Sequence, residues 1–584
     1  MFERHSISSA IFTDERVAEG HTAFLDAAGN STTYADVARL VRDLADFLIA
    51  AGARAGDRIA FMSPRGPLGV IGFLAVAEIG TCCPLNPKLK PDELVASLLG
   101  MRVDLVLDGA GDPQTAKHTA SLGIPVLSVG LQDGRLTTAG TAKTGTTRPG
   151  SASTEPAPAM LMSTSGTTSK PKLVPISHAN VLASAGAIGQ AFSLGSSDVC
   201  LNPMPLHHVH GLISASVSSL LAGSAVHCTD AFSPGSFDAL SRQLTPTWFT
   251  GSPAMHLALR EFYEHTDSRP PRERLRFFRS SSAPLPPSAI AALEALYEAP
   301  LIETYGLTET ASMVCTNPLP PAIRKVGSVG FAVGSEIRVV DESGRTCDAD
   351  LPGEIAIRGP SVIAAYEDNA APESFLGDWL LTGDIGRMDA DGYLFIVGRA
   401  KEVIKRGGLS VYPAEVDDAL AAFPDVAEAV TFAVPHDTLG EEVVAAVVPR
   451  SGTTIDGEVL RTNVGQRLST YKIPSVVLVV GAIPKNETGK IVRRQVAAEF
   501  AEKLKPVSEP ASNTIEQKLL LTWQDVLGRQ DIGVTDNVFL HGADPLRAGR
   551  AAELMGSAGI WAPSVKQLLA APTVRQQAAL AEAQ

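Results

Sequence analysis

Between residues 34 and 110 the chain alternates helix-spaced apolar residues with short apolar runs, and this alternation excludes most architectures. Tyr34 to Ala51 carries apolar residues at helical spacing, and Arg58-Ile-Ala-Phe-Met62 reads as a strand. Pro67 to Ile79 is a second helical stretch, and Val103-Asp-Leu-Val-Leu107 a second strand. Strands that take turns with helices argue for α/β layering around a substantially parallel sheet. At 584 residues the chain is too long for one hydrophobic core, and its length implies about three or four domains.

Composition changes along the chain mark the boundaries. From Gly130 to Pro158 it becomes rich in Thr, Ala, Gly, Ser and Pro with little apolar pattern, which reads as a surface loop or insertion. After Gly398-Arg399 the strands shorten (Ala427 to Val434, Val443 to Val448, Val476 to Val480) and two amphipathic helices accompany them, giving a small α+β domain. The expected organisation is a large domain over 1–399, a smaller one over 400–504, a linker at 505–513 and a helical bundle over 514–584. In that bundle Thr514 and Gln517 form a capping-box pattern. Ile515, Leu519, Leu520, Trp523, Val526 and Leu527 follow at helical spacing, and Gly528 can close the helix.

The net charge of −14 offers no general attraction to nucleic acid or an anionic membrane. Neither kind of partner is expected. Six scattered cysteines without C-x-x-C spacing read as buried thiols. The first ten residues lack an apolar signal core, and Leu68 to Val76 is far too short to span a bilayer. A cytoplasmic location is the expectation.

Ser163-Thr-Ser-Gly-Thr-Thr-Ser-Lys-Pro-Lys172 is the most informative segment. Phosphate oxygens need many donors at close range, and such a loop supplies backbone N–H groups, hydroxyls and two lysines without bulk. No Gly-Lys-Ser/Thr triplet closes it, so it is not a Walker loop; taken alone, it could be a polar linker.

The loop resembles the phosphate-binding signature of the adenylate-forming superfamily, which includes acyl- and aryl-CoA synthetases, firefly luciferase and peptide-synthetase adenylation domains. The resemblance runs through nearly the whole chain in order: Ala75-Val-Ala-Glu-Ile-Gly80 to Pro84-Leu-Asn86, Glu303-Thr-Tyr-Gly-Leu-Thr-Glu309, Thr382-Gly-Asp384, Gly398-Arg399, and Pro484-Lys-Asn-Glu-Thr-Gly-Lys490. It implies an α/β fold with a large multi-subdomain adenylate-forming domain followed by a small mobile α+β domain. It also implies an enzyme that activates a carboxylic acid with ATP and Mg²⁺ and transfers the acyl group, with CoA as the expected acceptor. A separate carrier protein or an amine is the alternative acceptor. A non-catalytic interaction protein is the alternative of another class, against which the presence of Glu309, Asp384, Arg399 and Lys490 argues.

The resemblance also assigns residues. Thr164, Ser165, Gly166, Thr167, Thr168 and Lys172 would hold the triphosphate; Ser282, Ala283, Pro284, Glu303, Thr304 and Tyr305 would surround the nucleotide, with Tyr305 on adenine. Thr308 would contact the α-phosphate, Glu309 would hold Mg²⁺, Asp384 and Arg399 would clamp the ribose, and Lys490 would bridge substrate carboxylate and phosphate. Charge of this kind belongs where negative charge grows in the reaction. Lys401 falls at the hinge position, and Gly407 with Gly408 in the loop that enters the site for transfer.

Pro205-Leu-His-His-Val-His-Gly211 could suggest a metal site, but nothing nearby completes a recognisable ligand spacing, and buried core histidines are a further alternative. By resemblance this strip lines the acid pocket with His207, His210, Gly211, Ser252, Ser281 and Gly306, and His208 sits beside the reacting carboxylate. The aspartate that amino-acid-activating domains carry here for the substrate ammonium is missing. Ser281 or Ser282 stands where the family usually has glycine, which together with His210 leans toward a small or polar acid, such as a dicarboxylate. The short Thr316 to Gly330 segment favours a thiol acceptor.

The tail departs from its own pattern. Val534-Thr-Asp-Asn-Val-Phe-Leu-His-Gly-Ala-Asp-Pro-Leu546 resembles an acyl- or peptidyl-carrier domain, but Pro545 stands at the serine that carries phosphopantetheine. Proline is comfortable at a first helical position and Asp544 can cap it. The expectation is a carrier-like fold without phosphopantetheine, whose removal leaves adenylation nearly intact.

Overall fold

A computed structural model describes residues 5–111, 113–140, 157–164, 172–266, 268–436, 438–485, 491–505, 507 and 509–583. The chain divides into two units, Met1–Thr382 with Gly386–Ile396, and Gly383–Ile385 with Val397–Gln584.

The first unit is α/β, as the early alternation implies. Helix Tyr34–Ala50 starts at a reciprocal Thr33–Asp36 capping box. Strand Arg58–Met62, helix Pro67–Ala77 and strand Leu105–Asp108 follow. The second helix is buried from Leu68 through Ala77, as an all-apolar helix must be. Strands Arg58–Met62, Thr81–Leu85 and Leu105–Asp108 pair in parallel at the centre of a seven-stranded sheet. A nine-stranded sheet has at its centre the parallel strands Ala225–Cys228, Val199–Asn202, Trp248–Gly251, Phe277–Ser280 and Leu301–Leu307. One apolar core draws Phe61, Phe73 and Leu107 together with Trp248 and Phe277 from both sheets. In parallel sheets ligands bind beyond the carboxyl ends of strands. The residues just past those ends are the 203–211 strip, Ser252 and Ser281–Ser282.

The stretch read as a loop from Gly130 is partly sheet. Val126–Gln132 and Arg135–Ala139 form an antiparallel hairpin around Asp133-Gly134. Its second strand, Arg-Leu-Thr-Thr-Ala, lacks the apolar alternation that would reveal it. Residues 141–156 lie outside the described residues.

In the second unit, Leu409–Val411, Ile404–Arg406, Gly440–Pro449 and Val426–His436 make an antiparallel sheet, with Val476–Val479 parallel to Gly440–Pro449. Three helices accompany it rather than two: Pro413–Ala421, Gly457–Val464 and Arg493–Phe500. Helices of eight residues span barely two turns, too few for periodicity to separate them from loops.

The tail forms helices Thr514–Leu527, Pro545–Ser557, Val565–Ala570 and Val574–Glu582 around Leu519, Trp523, Val538, Met555 and Leu568. The first helix is capped by Asn513, whose side chain accepts from Ile515 and Glu516 N–H, and not by Thr514. Gly528 closes it with φ of 66°. Asp544 accepts from the N–H groups of Leu546 and Arg547, and Pro545 takes the first helical position.

The tail is bound into its unit and not merely strung on a linker. Asn537 Nδ2 donates to Ser475 O at 2.6 Å, His436 Nε2 to Phe539 O at 2.9 Å, and an Arg461 Nη2 to Ala570 O at 3.2 Å. Leu540 packs on the cluster of Val430, Phe432, Val496 and Phe500. Within the expected linker, Val507 N donates to Asp536, and Val534 N to Glu509 O.

Candidate active site

Three neighbouring strand ends carry the residues expected to line the acid pocket. Strand Val199–Asn202 ends in a fully buried asparagine whose Nδ2 donates to Gly211 O at 2.9 Å and whose Oδ1 accepts from Met204 N at 3.0 Å. Asn202 thereby closes the 204–211 strip into a loop. Gly211 is required there, because a Cβ would lie 2.4 Å from Pro205 O. From His210 the chain runs as a π-helix to Val217, a widened turn often found at functional sites.

The histidines of the strip occupy different surroundings. His207 and His208 have ring centres 4.5 Å apart. Burial, with His208 and Arg65 nearby, pushes His207 down to about 3, so it is neutral at physiological pH. His210 is buried at 7% exposure, with Nε2 2.7 Å from Thr250 Oγ1 and Nδ1 3.2 Å from Ser282 Oγ. Ser282 itself is exposed and holds φ of 81°, a left-handed backbone that favours glycine. Ala283 and Pro284 beside it are exposed as well. Ser281 Oγ approaches Thr304 O at 3.4 Å, and Ser252 caps helix Pro253–Glu264 by accepting from Met255 N.

Strand Leu301–Leu307 carries the next group. Tyr305 opposes Cys315 on strand Ser312–Thr316 and packs with Val314 and Leu394. At Gly306 a Cβ would collide with Ser312 O, so only glycine fits. Glu303 accepts from Gly327 N at 2.9 Å, and burial pushes its carboxyl up to about 7. A tight turn, Thr308–Thr310, then presents Thr308 and Glu309.

The segment expected to bind phosphate is flanked by the paired strands Met160–Thr164 and Lys172–Ile176. Thr164 and Lys172 are cross-strand partners, with Thr164 Oγ1 3.3 Å from Lys172 O. Ser165, Gly166, Thr167 and Thr168 lie outside the described residues. Lys172 Nζ sits 4.5 Å from the ring centre of Tyr366 and 3.1 Å from Ser374 Oγ. Tyr366 Oη donates to Glu309 Oε1 at 2.8 Å. The end of the loop and the Glu309 carboxylate are therefore joined through one buried tyrosine. A single carboxylate of this kind suits Mg²⁺, which is commonly held by one or two carboxylates plus substrate phosphates.

In the second unit Asp384 is buried and paired with Arg399, Nε to Oδ1 at 3.0 Å. Lys401 lies in the turn Ala400–Glu402. Glu402 pairs with Arg493, which also binds Asp417. Gly407 and Gly408 form the two-residue turn between strands Ile404–Arg406 and Leu409–Val411, with φ of 58° and 82°. That hairpin needs φ > 0 at both positions, a backbone reason for the glycines in addition to the space they leave. Lys490 lies outside the described residues. Asn202, Thr250, Arg279, Tyr366 and Arg493 escaped the sequence reading, since no motif flags a lone polar residue at a strand end or helix start.

The AMP-binding enzyme family model matches residues 13–367, well over half of the chain, and the family's C-terminal domain model matches residues 415–490. The chain belongs to the AMP-binding enzymes. It is thus an adenylate-forming enzyme of the AMP-forming acid–thiol ligase type. An oxalate–CoA ligase from Arabidopsis thaliana is 37% identical over 81% of this chain and 94% of that protein. A sulfoacetate–CoA ligase from Cupriavidus necator is 34% identical over 80% of this chain and 92% of that protein. The crystal structure of ATP-bound MatB from Rhodopseudomonas palustris superposes with a TM-score of 0.76, at 29% identity, covering 86% of this chain and all of that one. AMP-binding enzymes of the CoA ligase type work with ATP, Mg²⁺ and CoA. No helix among the described residues is long and apolar enough to cross a membrane.

Proposed function

We propose that this ligase joins CoA to a small carboxylic acid that carries a second polar or anionic group, through an acyl-adenylate. The observation that carries the reading is the His210–Ser282 contact at 3.2 Å. A histidine and a hydroxyl meet where a pocket for an alkyl or aryl acid would need carbon. The relatives named for oxalate and sulfoacetate support it, since each of those acids bears two acidic groups on two carbons.

Lys172 and the Thr164–Thr168 segment hold the triphosphate, and Tyr305 stacks on adenine within a nucleotide pocket that includes Glu303 and Thr304. Asp384 and Arg399 fix the ribose. Glu309 would hold Mg²⁺, which would supply charge neutralisation at the phosphates when bound. The acid's carboxylate oxygen attacks the α-phosphorus as the bond to pyrophosphate breaks. Thr308 and Lys490 face the charge that develops there, and His208 orients the attacking carboxylate. The CoA thiolate then attacks the acyl carbon and AMP leaves, with Lys401 as the hinge and Gly407-Gly408 admitting the pantetheine arm. The tail takes no phosphopantetheine, because Pro545 offers no hydroxyl, so the acceptor comes from elsewhere, and CoA is the thiol proposed here.

Pyrophosphate release is the test, run with a panel of acids with and without CoA. Oxalate or another C2–C4 dicarboxylate giving pyrophosphate, and a CoA thioester by mass, supports the reading. A cinnamate or fatty acid strongly preferred over every dicarboxylate would overturn the substrate class. Transfer to an amine or carrier protein but not to CoA would overturn the acceptor.

A further inference from the structure

Arg279 is the anomaly of the first unit. It lies on strand Phe277–Ser280, is 0% exposed, and forms no ion pair among the described residues. Its Nε donates to Thr250 Oγ1 at 3.1 Å and one Nη1 to Ser214 Oγ at 2.6 Å, while Nη2 has no hydrogen-bond partner. The faces of Trp248 and Phe192 lie about it, 5.6 and 6.0 Å from Cζ. Burial lowers its pKa only to about 10, so it stays charged at neutral pH. A buried cation without a carboxylate is costly, and such charges are ordinarily paired.

The cation orders the protons around Thr250. Thr250 Oγ1 accepts from Arg279 Nε, so its own hydrogen goes elsewhere. Two acceptors are in reach: His210 Nε2 at 2.7 Å and Arg279 O at 3.4 Å. Arg279 O already lies 3.0 Å from His256 Nε2, a buried imidazole whose Nδ1 has no partner, so the proton of that ring is on Nε2 and donated there. Thr250 Oγ1 lies 0.7 Å nearer to His210 Nε2 than to Arg279 O, and a contact of 3.4 Å is weak, so the Thr250 hydrogen goes to His210 Nε2. In the neutral ring the proton of His210 then sits on Nδ1 and is donated to Ser282 Oγ, 3.2 Å away. Ser282 accepts that bond, which leaves its O–H to donate outward from an exposed position.

We propose that Arg279, acting through Thr250 and His210, orients the Ser282 hydroxyl as a donor to the second anionic group of the acid, and that this chain determines acid specificity. The inference rests on the reading of a small acid with a second polar group and deepens it. The buried guanidinium gives the pocket floor a positive potential that a dianionic substrate answers and a monoacid does not. Arg279 and Thr250 are positioning residues; Ser282 is the group that touches the acid.

The test is the ratio of kcat/KM for a dicarboxylate to that for its monoacid counterpart, oxalate against acetate and malonate against propionate, in the full chain. Thr250→Val removes the relay at constant shape. It should lower the ratio about tenfold to a hundredfold, the effect of one hydrogen bond to a charged group, while KM for ATP stays unchanged. Thr250→Ser, which keeps the hydroxyl, should restore the ratio. Arg279→Met should lower the ratio as Thr250→Val does; if that variant fails to fold, the Thr250 pair decides alone. Unmodified protein without preference for dicarboxylates overturns the substrate class and the relay with it. A preference that survives Thr250→Val overturns the relay while leaving the substrate class standing.

Discussion

Ser282→Gly should make the protein more stable and less selective at once. The serine holds φ of 81°, and a residue with a Cβ in that region carries about 1–3 kcal/mol of strain. Glycine removes the strain but frees the unfolded chain, which returns about 0.5–1 kcal/mol. The net gain is then about 1 kcal/mol. The first unit holds roughly 390 residues, and at about 2.1 cal/mol/K per residue its unfolding entropy makes 1 kcal/mol worth only about 1 °C. Replicate thermal melts of the two proteins side by side resolve a shift of that size. The chemistry moves the other way: without the Ser282 hydroxyl that meets His210, kcat/KM for a dicarboxylic acid should fall about tenfold to a hundredfold. A melt lowered by several degrees would refute the strain argument. Unaltered acid preference would remove Ser282 from the pocket.

Other perturbations separate the remaining roles. Lys490→Ala should lower adenylate formation by about 10²–10³ or more while sparing thioester formation from synthetic acyl-adenylate; equal loss in both half-reactions contradicts the assignment. Glu303 has its folded carboxyl raised to about 7 by burial, so its contribution to stability is full below the unfolded carboxyl range and is lost as pH rises through about 7. Glu303→Gln should accordingly gain in melting temperature relative to the unmodified protein between pH 5 and pH 8, and a pH-independent difference would rule this out. Truncation at residue 512 uncovers Ser475 O, His436 and the Phe432 cluster. Each lost hydrogen bond removes about 0.5–1.5 kcal/mol and the packing of Leu540 is lost with them, so limited proteolysis should cut residues 400–504 faster in the truncated protein. An unchanged cleavage rate would restore the tail to an independent module.

What the sequence made legible follows from where the physics is local. Helix Tyr34–Ala50 carries its periodicity in its own residues, strand Arg58–Met62 its apolar run, and Asp544 with Pro545 the start of a helix. The Ser163–Lys172 segment, the Glu303–Glu309 stretch and Asp384 stand out in the sequence because each lies in a contiguous motif that the family resemblance assigns to the nucleotide. The Arg135–Ala139 strand was not, since its exposed polar residues follow the pairing of the hairpin and not any burial of their own. Tyr366 was invisible for another reason: its partners Glu309 and Lys172 are 57 and 194 residues away in sequence. The Thr250–Arg279 contact likewise exists only after parallel strands bring their ends together.

The central claim, ATP-driven thioester formation from a small acid with a second polar group, is tested most directly by mass spectrometry of one reaction. The protein is incubated with ATP, Mg²⁺, CoA and an equimolar mixture of oxalate, malonate, acetate, octanoate and cinnamate. The account predicts AMP and pyrophosphate in step with a dicarboxyl-CoA thioester as the dominant product. Octanoyl- or cinnamoyl-CoA as the dominant product, or pyrophosphate without any thioester, would contradict it.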